Sequence, residues 1–122
     1  MPDENFCDKR ETIQSVITTV RDCAFQEDRV DFSLCYSRPE NKAFIHANFL
    51  KRRDLRNILM NLRCEDYSHT SRENGKPDAY VFGVSINDDD KADAYLKLRI
   101  ENGVLIISFH EPERDLTFPF RQ

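Results

Sequence analysis

The side chains best suited to chemistry lie near the end of the chain, in two short runs that flank the pair Asn102-Gly103. An Asn-Gly pair between alternating apolar residues is the strongest short-range signal for a β-hairpin, because both loop positions need a positive φ. A two-residue loop would then fix the register of the two strands. The predicted opposite pairs are Glu101 with Val104, Arg99 with Ile106, Lys97 with Ser108, and Tyr95 with His110.

Alternation divides this hairpin into two faces, since successive side chains of a strand point to opposite sides. The apolar face is expected to build the core. The polar face would bring a phenol, two cations, a hydroxyl and an imidazole within cross-strand reach, so we expect function there. On the neighbouring predicted strand, Gly83 and Ser85 are expected to leave a shallow floor. The predicted apolar face contains Leu96, Leu98, Ile100, Leu105, Ile107 and Phe109, and the predicted polar face contains Tyr95, Lys97, Arg99, Ser108 and His110.

These residue types suit the cleavage of RNA without a metal. A base takes the proton of a ribose 2′-hydroxyl, which attacks the neighbouring phosphate, and an acid protonates the leaving 5′-oxygen. Histidine suits both proton roles because its ordinary pKa of about 6.5 lies near working pH. His110 is one candidate, and His69, just after a predicted helix, is the other, with base and acid left open. Lys97 and Arg99 would stabilise the charge on the phosphorane, and Tyr95 would bond the phosphate or stack on a base.

The same residues also have plainer interpretations. The polar face could be merely solvated, or it could grip RNA or a partner protein without catalysing anything. A strand commonly carries two cations at alternate positions, so Lys97 and Arg99 gain weight only beside the other polar groups. His46, between Ile45 and Ala47, is predicted to be packed or exposed rather than functional.

Composition and motifs narrow the class of protein. A chain of 122 residues is expected to form one domain, over residues 1–122. Its apolar runs are too short to span a membrane, and the acidic first residues lack the layout of a signal peptide, so we expect a cytoplasmic protein. The four cysteines lie far apart and no histidine completes a zinc pattern, so no metal is expected. No phosphate-binding glycine loop or dinucleotide fingerprint occurs, so no nucleotide and no other cofactor are expected.

Charge is unevenly distributed along the chain. The net charge of −4 argues against a protein that coats nucleic acid by overall attraction. Basic residues nevertheless cluster around the second predicted helix, which is either a solvated cationic face or a contact for RNA or a partner protein. The cluster contains Lys51, Arg52, Arg53, Arg56 and Arg63, of which Arg52, Arg53 and Arg56 are the candidate contacts.

Periodicity predicts an α+β domain in which helices cover the apolar face of a sheet. Helices are predicted at about 8–24, opened by a capping box of Asp8 and Glu11, and near 52–63. The segment 40–50 is ambiguous between a short helix and an irregular connection, and 65–78 is predicted to be a loop. A three-stranded antiparallel meander is predicted at about 79–86, 94–101 and 104–110, with 30–36 as a candidate fourth strand and 116–120 as a short edge piece.

Three motifs resemble the C-terminal half of the MqsR-type toxins, which are RelE-like mRNA interferases of bacterial toxin–antitoxin systems. The resemblance covers about residues 50–120, and its most specific part is the last motif. The motifs are Glu65-Asp66-Tyr67, the strand Tyr95-Leu96-Lys97-Leu98, and Ile107-Ser108-Phe109-His110-Glu111.

The resemblance implies a RelE-like two-layer fold, with two or more N-terminal helices packed on an antiparallel sheet. It also implies a metal-independent endoribonuclease, a hydrolase that cleaves mRNA and is neutralised by a cognate antitoxin. On this alignment Tyr95 falls on a tyrosine important to the family, whereas His69 and His110 fall where the best-known member has lysines. A glutamine of the family has no clear match here, and Val81 or its neighbours occupy the corresponding place.

Overall fold

The computed structural model describes residues 6–73, 75–87 and 92–121, without the side chain of Glu27. The acidic first five residues therefore lie outside the described part of the chain. The helices are α1 (Arg10–Phe25), α2 (Ser33–Ser37), α3 (Pro39–Ala47) and α4 (Arg52–Met60), and the strands are β1 (Val30–Asp31), β2 (Tyr67–Ser71), β3 (Ala79–Val84), β4 (Ala94–Ile100) and β5 (Val104–His110). Short 3-10 turns at Glu27–Arg29 and Cys64–Asp66 precede β1 and β2.

The five strands form one mixed sheet in the order β1-β5-β4-β3-β2. Strands β2 to β5 are an antiparallel meander, and β1 pairs in parallel with β5. The α+β class and the three-stranded meander are therefore confirmed. The expectation of a purely antiparallel sheet is wrong at β1, whose long connection to β5 permits parallel pairing.

Helices cover one face of this sheet, and the core lies between the two layers. The predicted helices at 8–24 and 52–63 correspond to α1 and α4, and the ambiguous segment 40–50 forms α3. Apolar residues at helical spacing on α1 and α4 are buried against the sheet, as the periodicity predicted. Among the described residues, no helix is both long enough and apolar enough to cross a membrane.

The strand predicted at 30–36 is wrong beyond its first two residues. Only Val30 and Asp31 pair with β5, and the chain turns into α2 at Ser33. The carboxylate of Asp31 accepts a hydrogen bond of 2.8 Å from the backbone N–H of Ser33, which bends the chain at that point. The alternation of apolar and polar residues in this segment therefore continues into a helix.

The loop predicted at 65–78 contains a strand, β2, which is a correction. Its side chains are mostly polar, and yet all but His69 are buried. The preceding N-terminal segment makes this burial tolerable, because Phe6 exchanges two backbone hydrogen bonds with Thr70. The Thr70 hydroxyl donates to the Asp8 carboxylate over 2.5 Å, and the Tyr67 hydroxyl accepts from the Asp8 backbone N–H over 2.9 Å.

These contacts also correct the predicted capping box. The residue before α1 is Lys9, and no side chain caps the start of this helix. The Asp8 carboxylate contacts Thr70 instead, so it fixes β2 rather than the first turn of α1.

The β4–β5 hairpin differs from its prediction near the turn and agrees with it further away. Residues 101–103 form a three-residue loop, with φ of 53° at Asn102 and 130° at Gly103. Ile107 is an extra residue in β5, a β-bulge that restores the predicted register beyond it. The observed pairs are Ile100 with Val104, Arg99 with Leu105 and Leu98 with Ile106 before the bulge, and Lys97 with Ser108, Leu96 with Phe109 and Tyr95 with His110 after it.

The loop and the bulge change which residues face the helices. The predicted pairs of Glu101 with Val104 and of Arg99 with Ile106 are wrong. Val104 and Ile106 belong to the core cluster, in place of the predicted Leu105 and Ile107. The pairs that matter for the polar face, Lys97 with Ser108 and Tyr95 with His110, are confirmed.

Candidate functional site

Residues 111–121, the C-terminal segment, cross the face of the sheet that the helices leave uncovered. The predicted edge strand at 116–120 is not formed. Instead, Leu116 and Phe118 pack over Gly83, where an added Cβ would lie 2.7 Å from the Phe118 ring and 2.9 Å from a Leu116 methyl. The shallow floor expected at Gly83 is therefore filled by this segment.

The Glu65-Asp66-Tyr67 motif anchors the far end of the C-terminal segment. The ring of Phe120 stacks on Tyr67, with centroids 5.5 Å apart and an interplanar angle of 17°. The Arg121 Nε donates to the carbonyl oxygen of Glu65 over 3.0 Å. Burial raises the pKa of Asp66, an effect opposed by the backbone N–H and guanidinium of Arg63 and by the charge of Arg121. The segment is thus fixed to the turn that begins β2.

Between the C-terminal segment and the sheet lies a cleft of about 580 Å³, which we call the sheet cleft. Strands β2, β4 and β5 supply one wall, and residues 113–117 supply the other. The lining residues are Ser68, His69, Ser71, Tyr95, Lys97, Ser108 and His110 from the sheet, with Glu113, Arg114, Asp115, Leu116 and Thr117 from the segment. The cleft therefore brings together four of the predicted functional residues, His69, Tyr95, Lys97 and His110.

His110 is held in a defined orientation at one end of the cleft. Its ring stacks on Tyr95, with centroids 5.1 Å apart and an interplanar angle of 8°. Its Nδ1 lies 2.8 Å from the carbonyl oxygen of Glu111. Because a carbonyl oxygen only accepts, Nδ1 must carry the hydrogen, and Nε2 is the atom left to take up or release a proton.

His69 lies on the other side of the cleft, on β2. It pairs with Val81, which pairs with Lys97, so Lys97 lies between the two histidines across the sheet. Its Nδ1 is 3.0 Å from the hydroxyl oxygen of Ser68. Three inter-strand spacings separate β2 from β5, which is about 14 Å between backbones. His46 is exposed on α3 and does not line the cleft.

The two predicted phosphate-binding cations of β4 have different surroundings. Lys97 lines the cleft, and it forms no hydrogen bond or ion pair with another described residue. Arg99 lies on the same face one pair nearer the turn, where its Nε donates to the carbonyl oxygen of Pro77 over 3.0 Å. Of these two cations of β4, Lys97 is therefore the one that a ligand in the cleft would meet.

The arginines of α4 lie away from the cleft, on the helical layer. The Arg56 guanidinium donates to the carbonyl oxygens of Ala24 over 2.6 Å and Phe25 over 3.0 Å, at the end of α1. The Arg52 guanidinium lies 4.6 Å from the ring centroid of Phe32. Arg53 is exposed. Two of these three predicted contact residues thus stabilise the packing of the helices.

Sequence reasoning did not identify the wall formed by residues 113–117. The alternation of Leu116, Phe118 and Phe120 was a real signal of packing, but it indicated the edge of the sheet rather than its face. Gly83 carried the second signal, since a glycine within a strand often marks a close approach of another segment. Within the described ranges, no group of three or more histidine, cysteine or carboxylate side chains is arranged to hold a metal ion.

No family model, curated protein or solved structure shows a significant match to this chain. The sheet cleft is therefore the feature of this molecule that indicates a function.

Proposed function

We propose that this chain is a metal-independent endoribonuclease, an mRNA interferase of the toxin kind that acts in the cytoplasm. The observation that carries the proposal is the sheet cleft itself. Two imidazoles, a lysine ammonium and a phenol line one concave surface, although β2 and β5 are distant in the sequence. Cleavage by a ribose 2′-hydroxyl requires a base, an acid and a cation, and a phenol can add a contact to the phosphate or to a base.

In the proposed reaction, Lys97 binds the scissile phosphate and stabilises the charge that develops on the phosphorane. A phosphate at Lys97 would have His69 on one side and His110 on the other. An in-line displacement needs a base beside the attacking 2′-oxygen and an acid beside the leaving 5′-oxygen, at opposite ends of the reacting group. The two histidines lie on opposite sides of Lys97, which is the order that this division of roles requires.

His110 would exchange its proton through Nε2, since Nδ1 is bound to the carbonyl oxygen of Glu111. This bond holds one tautomer of the ring, and the stacked Tyr95 restricts its rotation. Tyr95 would act as a positioning residue for His110 and as a platform for a nucleobase at the mouth of the cleft.

The test is cleavage of a long single-stranded RNA by purified variants. His110→Ala and His69→Ala are each expected to lower the rate at least about 100-fold, the usual contribution of one general acid or base. His46→Ala is the matched control, because this exposed imidazole lies outside the cleft, and it should cleave like the unmodified protein. EDTA should leave the rate unchanged, because side chains supply every role. Near-normal cleavage by His110→Ala refutes the catalytic assignment.

A binding module that uses the same cleft is the second candidate. It is favoured by the separation of about 14 Å between the backbones of β2 and β5, which is wide for an acid–base pair on one phosphate. RNA that is bound but uncut between pH 6 and 8 would decide for this candidate. In that case Lys97→Gln should weaken binding and reduce its salt dependence, whereas His110→Ala should have a smaller effect.

The implied partner is a cognate antitoxin. Expression of the chain alone should arrest growth, and coexpression of a small protein encoded next to it should relieve the arrest. Arg53→Glu reverses an exposed charge of α4 without removing the internal contacts of Arg52 and Arg56. Unchanged affinity for the antitoxin in calorimetry would exclude this part of α4 from the interface, leaving the sheet cleft as the candidate.

A further inference from the structure

The C-terminal segment adds a cation to the sheet cleft that the proposed reaction does not use. Arg114 lines the cleft from the wall opposite Lys97. Most described arginines near the cleft or on the helices are committed to a carbonyl oxygen, a carboxylate or an aromatic ring, as Arg56, Arg99 and Arg121 illustrate. Arg114, like Lys97, has no hydrogen bond or ion pair with any described residue.

The Arg114 side chain is exposed, and the backbone that carries it leads directly into a packed part of the C-terminal segment. Leu116 and Phe118 fill the space over Gly83, and Phe120 and Arg121 bind the turn before β2. A cation carried by a fixed segment loses less freedom when it binds a ligand than one on a free tail. The packing of residues 116–121 therefore keeps the backbone next to Arg114 at the wall of the sheet cleft.

The carboxylates of Glu113 and Asp115 flank Arg114 along the same wall. Carboxylates cannot donate to a phosphate, and their negative charge opposes its entry. Lys97 and Arg114 are the positive charges that balance these two carboxylates in the lining. Loss of either cation would leave the cleft with an excess of negative charge, so the binding of a polyanion depends on both.

We propose that Arg114 binds the phosphate next to the one held by Lys97, so that the sheet cleft grips two consecutive phosphates of a single RNA strand. This inference rests on the proposed interaction with RNA. It requires no catalytic step, and it assigns the C-terminal segment to substrate binding.

The test is the affinity of a 2′-O-methyl RNA dodecamer, which lacks the attacking hydroxyl, measured by fluorescence anisotropy at several salt concentrations. Arg114→Gln is expected to weaken binding about 10-fold or more, because a charge-assisted bond is lost. It should also reduce the slope of log affinity against log salt by about 0.7, the contribution of one phosphate contact to a single strand. Arg114→Lys should retain the slope. Arg21→Gln, on the exposed face of α1, removes the same charge far from the cleft and should change neither quantity.

The outcomes separate the two proposals. If the unmodified protein binds the RNA and Arg114→Gln matches it in affinity and slope, the role of Arg114 is refuted while the proposed function stands. If the unmodified protein binds no RNA, the proposed function fails and the inference falls with it. Binding that depends on Arg114 without cleavage of ordinary RNA supports the inference and refutes the nuclease. Cleavage assays should show a higher KM for Arg114→Gln with kcat nearly retained.

Discussion

Replacement of Asn41 by alanine is expected to destabilise the protein by about 2–4 kcal/mol. The buried Asn41 amide forms hydrogen bonds with the backbone of β5 at Ile107 and Phe109, where β1 no longer pairs with this strand. Asn41 lies on α3 and only 1% of its surface is exposed. Its Nδ2 donates to the carbonyl oxygens of Ile107 and Leu34, each over 3.0 Å. Its Oδ1 accepts from the backbone N–H of Phe109 over 2.8 Å.

The magnitude follows from the groups that alanine would leave without partners. The Phe109 N–H lies in the core and would lose its acceptor, which costs about 1–3 kcal/mol. The Ile107 carbonyl would keep only a long contact of 3.5 Å with the Arg38 guanidinium, whereas the Leu34 carbonyl would still accept from the Arg38 N–H. Adding about 1 kcal/mol for the weakened Ile107 bond gives the expected range.

The effect should reach the sheet cleft as well, because Ser108 and His110 alternate along β5 with the two residues that Asn41 holds. The assay is urea unfolding followed by circular dichroism, with RNA cleavage measured under conditions where the variant remains folded. In a thermal melt, at about 4 °C per kcal/mol, the melting temperature should fall by roughly 8–16 °C.

Two controls make the result interpretable. Asn48→Ala removes an exposed amide whose Nδ2 donates to the Phe44 carbonyl at the end of the same helix, and it should change stability by less than about 0.5 kcal/mol. Asn41→Asp keeps the acceptor for Phe109 but loses the donor, so it should be destabilised at neutral pH as well. A loss below 1 kcal/mol for Asn41→Ala with an unchanged denaturant slope would refute the bridging role.

Three further substitutions test other parts of the structure. Arg56→Ala should lower the free energy of unfolding by about 1–2 kcal/mol in urea melts, because it removes two bonds to carbonyls at the end of α1, whereas Arg53→Ala should have almost no effect. Phe49→Gly should stabilise by about 0.5–1 kcal/mol, because Phe49 is 88% exposed and has a φ of 55° that glycine adopts more easily; no gain in calorimetric melting would contradict this. Burial raises the pKa of Asp66 in the folded state, so its contribution to stability is present below the ordinary value of 3.8 and is lost as the pH rises through the raised pKa. Asp66→Asn should therefore make the unfolding free energy depend less on pH in the range between 3.8 and the raised pKa. An unchanged dependence would contradict a raised pKa of Asp66 in the folded protein.

Local pattern was enough to predict the elements whose side chains alternate between core and solvent. In α1, α4 and the strands β3, β4 and β5, apolar residues recur at the spacing that places them on the buried side. This spacing predicts each of these elements from the sequence. Strand β2 has no such pattern, because its Thr70 hydroxyl is bound by Asp8 and its backbone by Phe6, and both residues are distant in sequence. The position of His69 in the cleft depends on that non-local pairing, so the sequence offers His69 as a candidate but does not place it on the same face of the sheet as His110.

An irregularity in β2 and a β-bulge in β5 explain why both histidines lie on the face of the sheet that lines the cleft. In β5, Val104 and Ile106 face the core, so strict alternation would direct His110 to the core and Phe109 to the cleft. The extra residue Ile107 reverses this order, and Phe109 is buried in the core while His110 lines the cleft.

The irregularity at Ser68 has the same effect in β2, since Tyr67 packs in the core and His69, two positions later, lines the cleft. Regular alternation would put both on one side of the sheet. In β2 and in β5, one extra residue therefore allows an aromatic ring to lie in the core while a nearby imidazole lies on the opposite face of the sheet. Because both irregularities lie within three residues of the histidines, the geometry of the candidate site and the packing of the core depend on the same feature of the backbone.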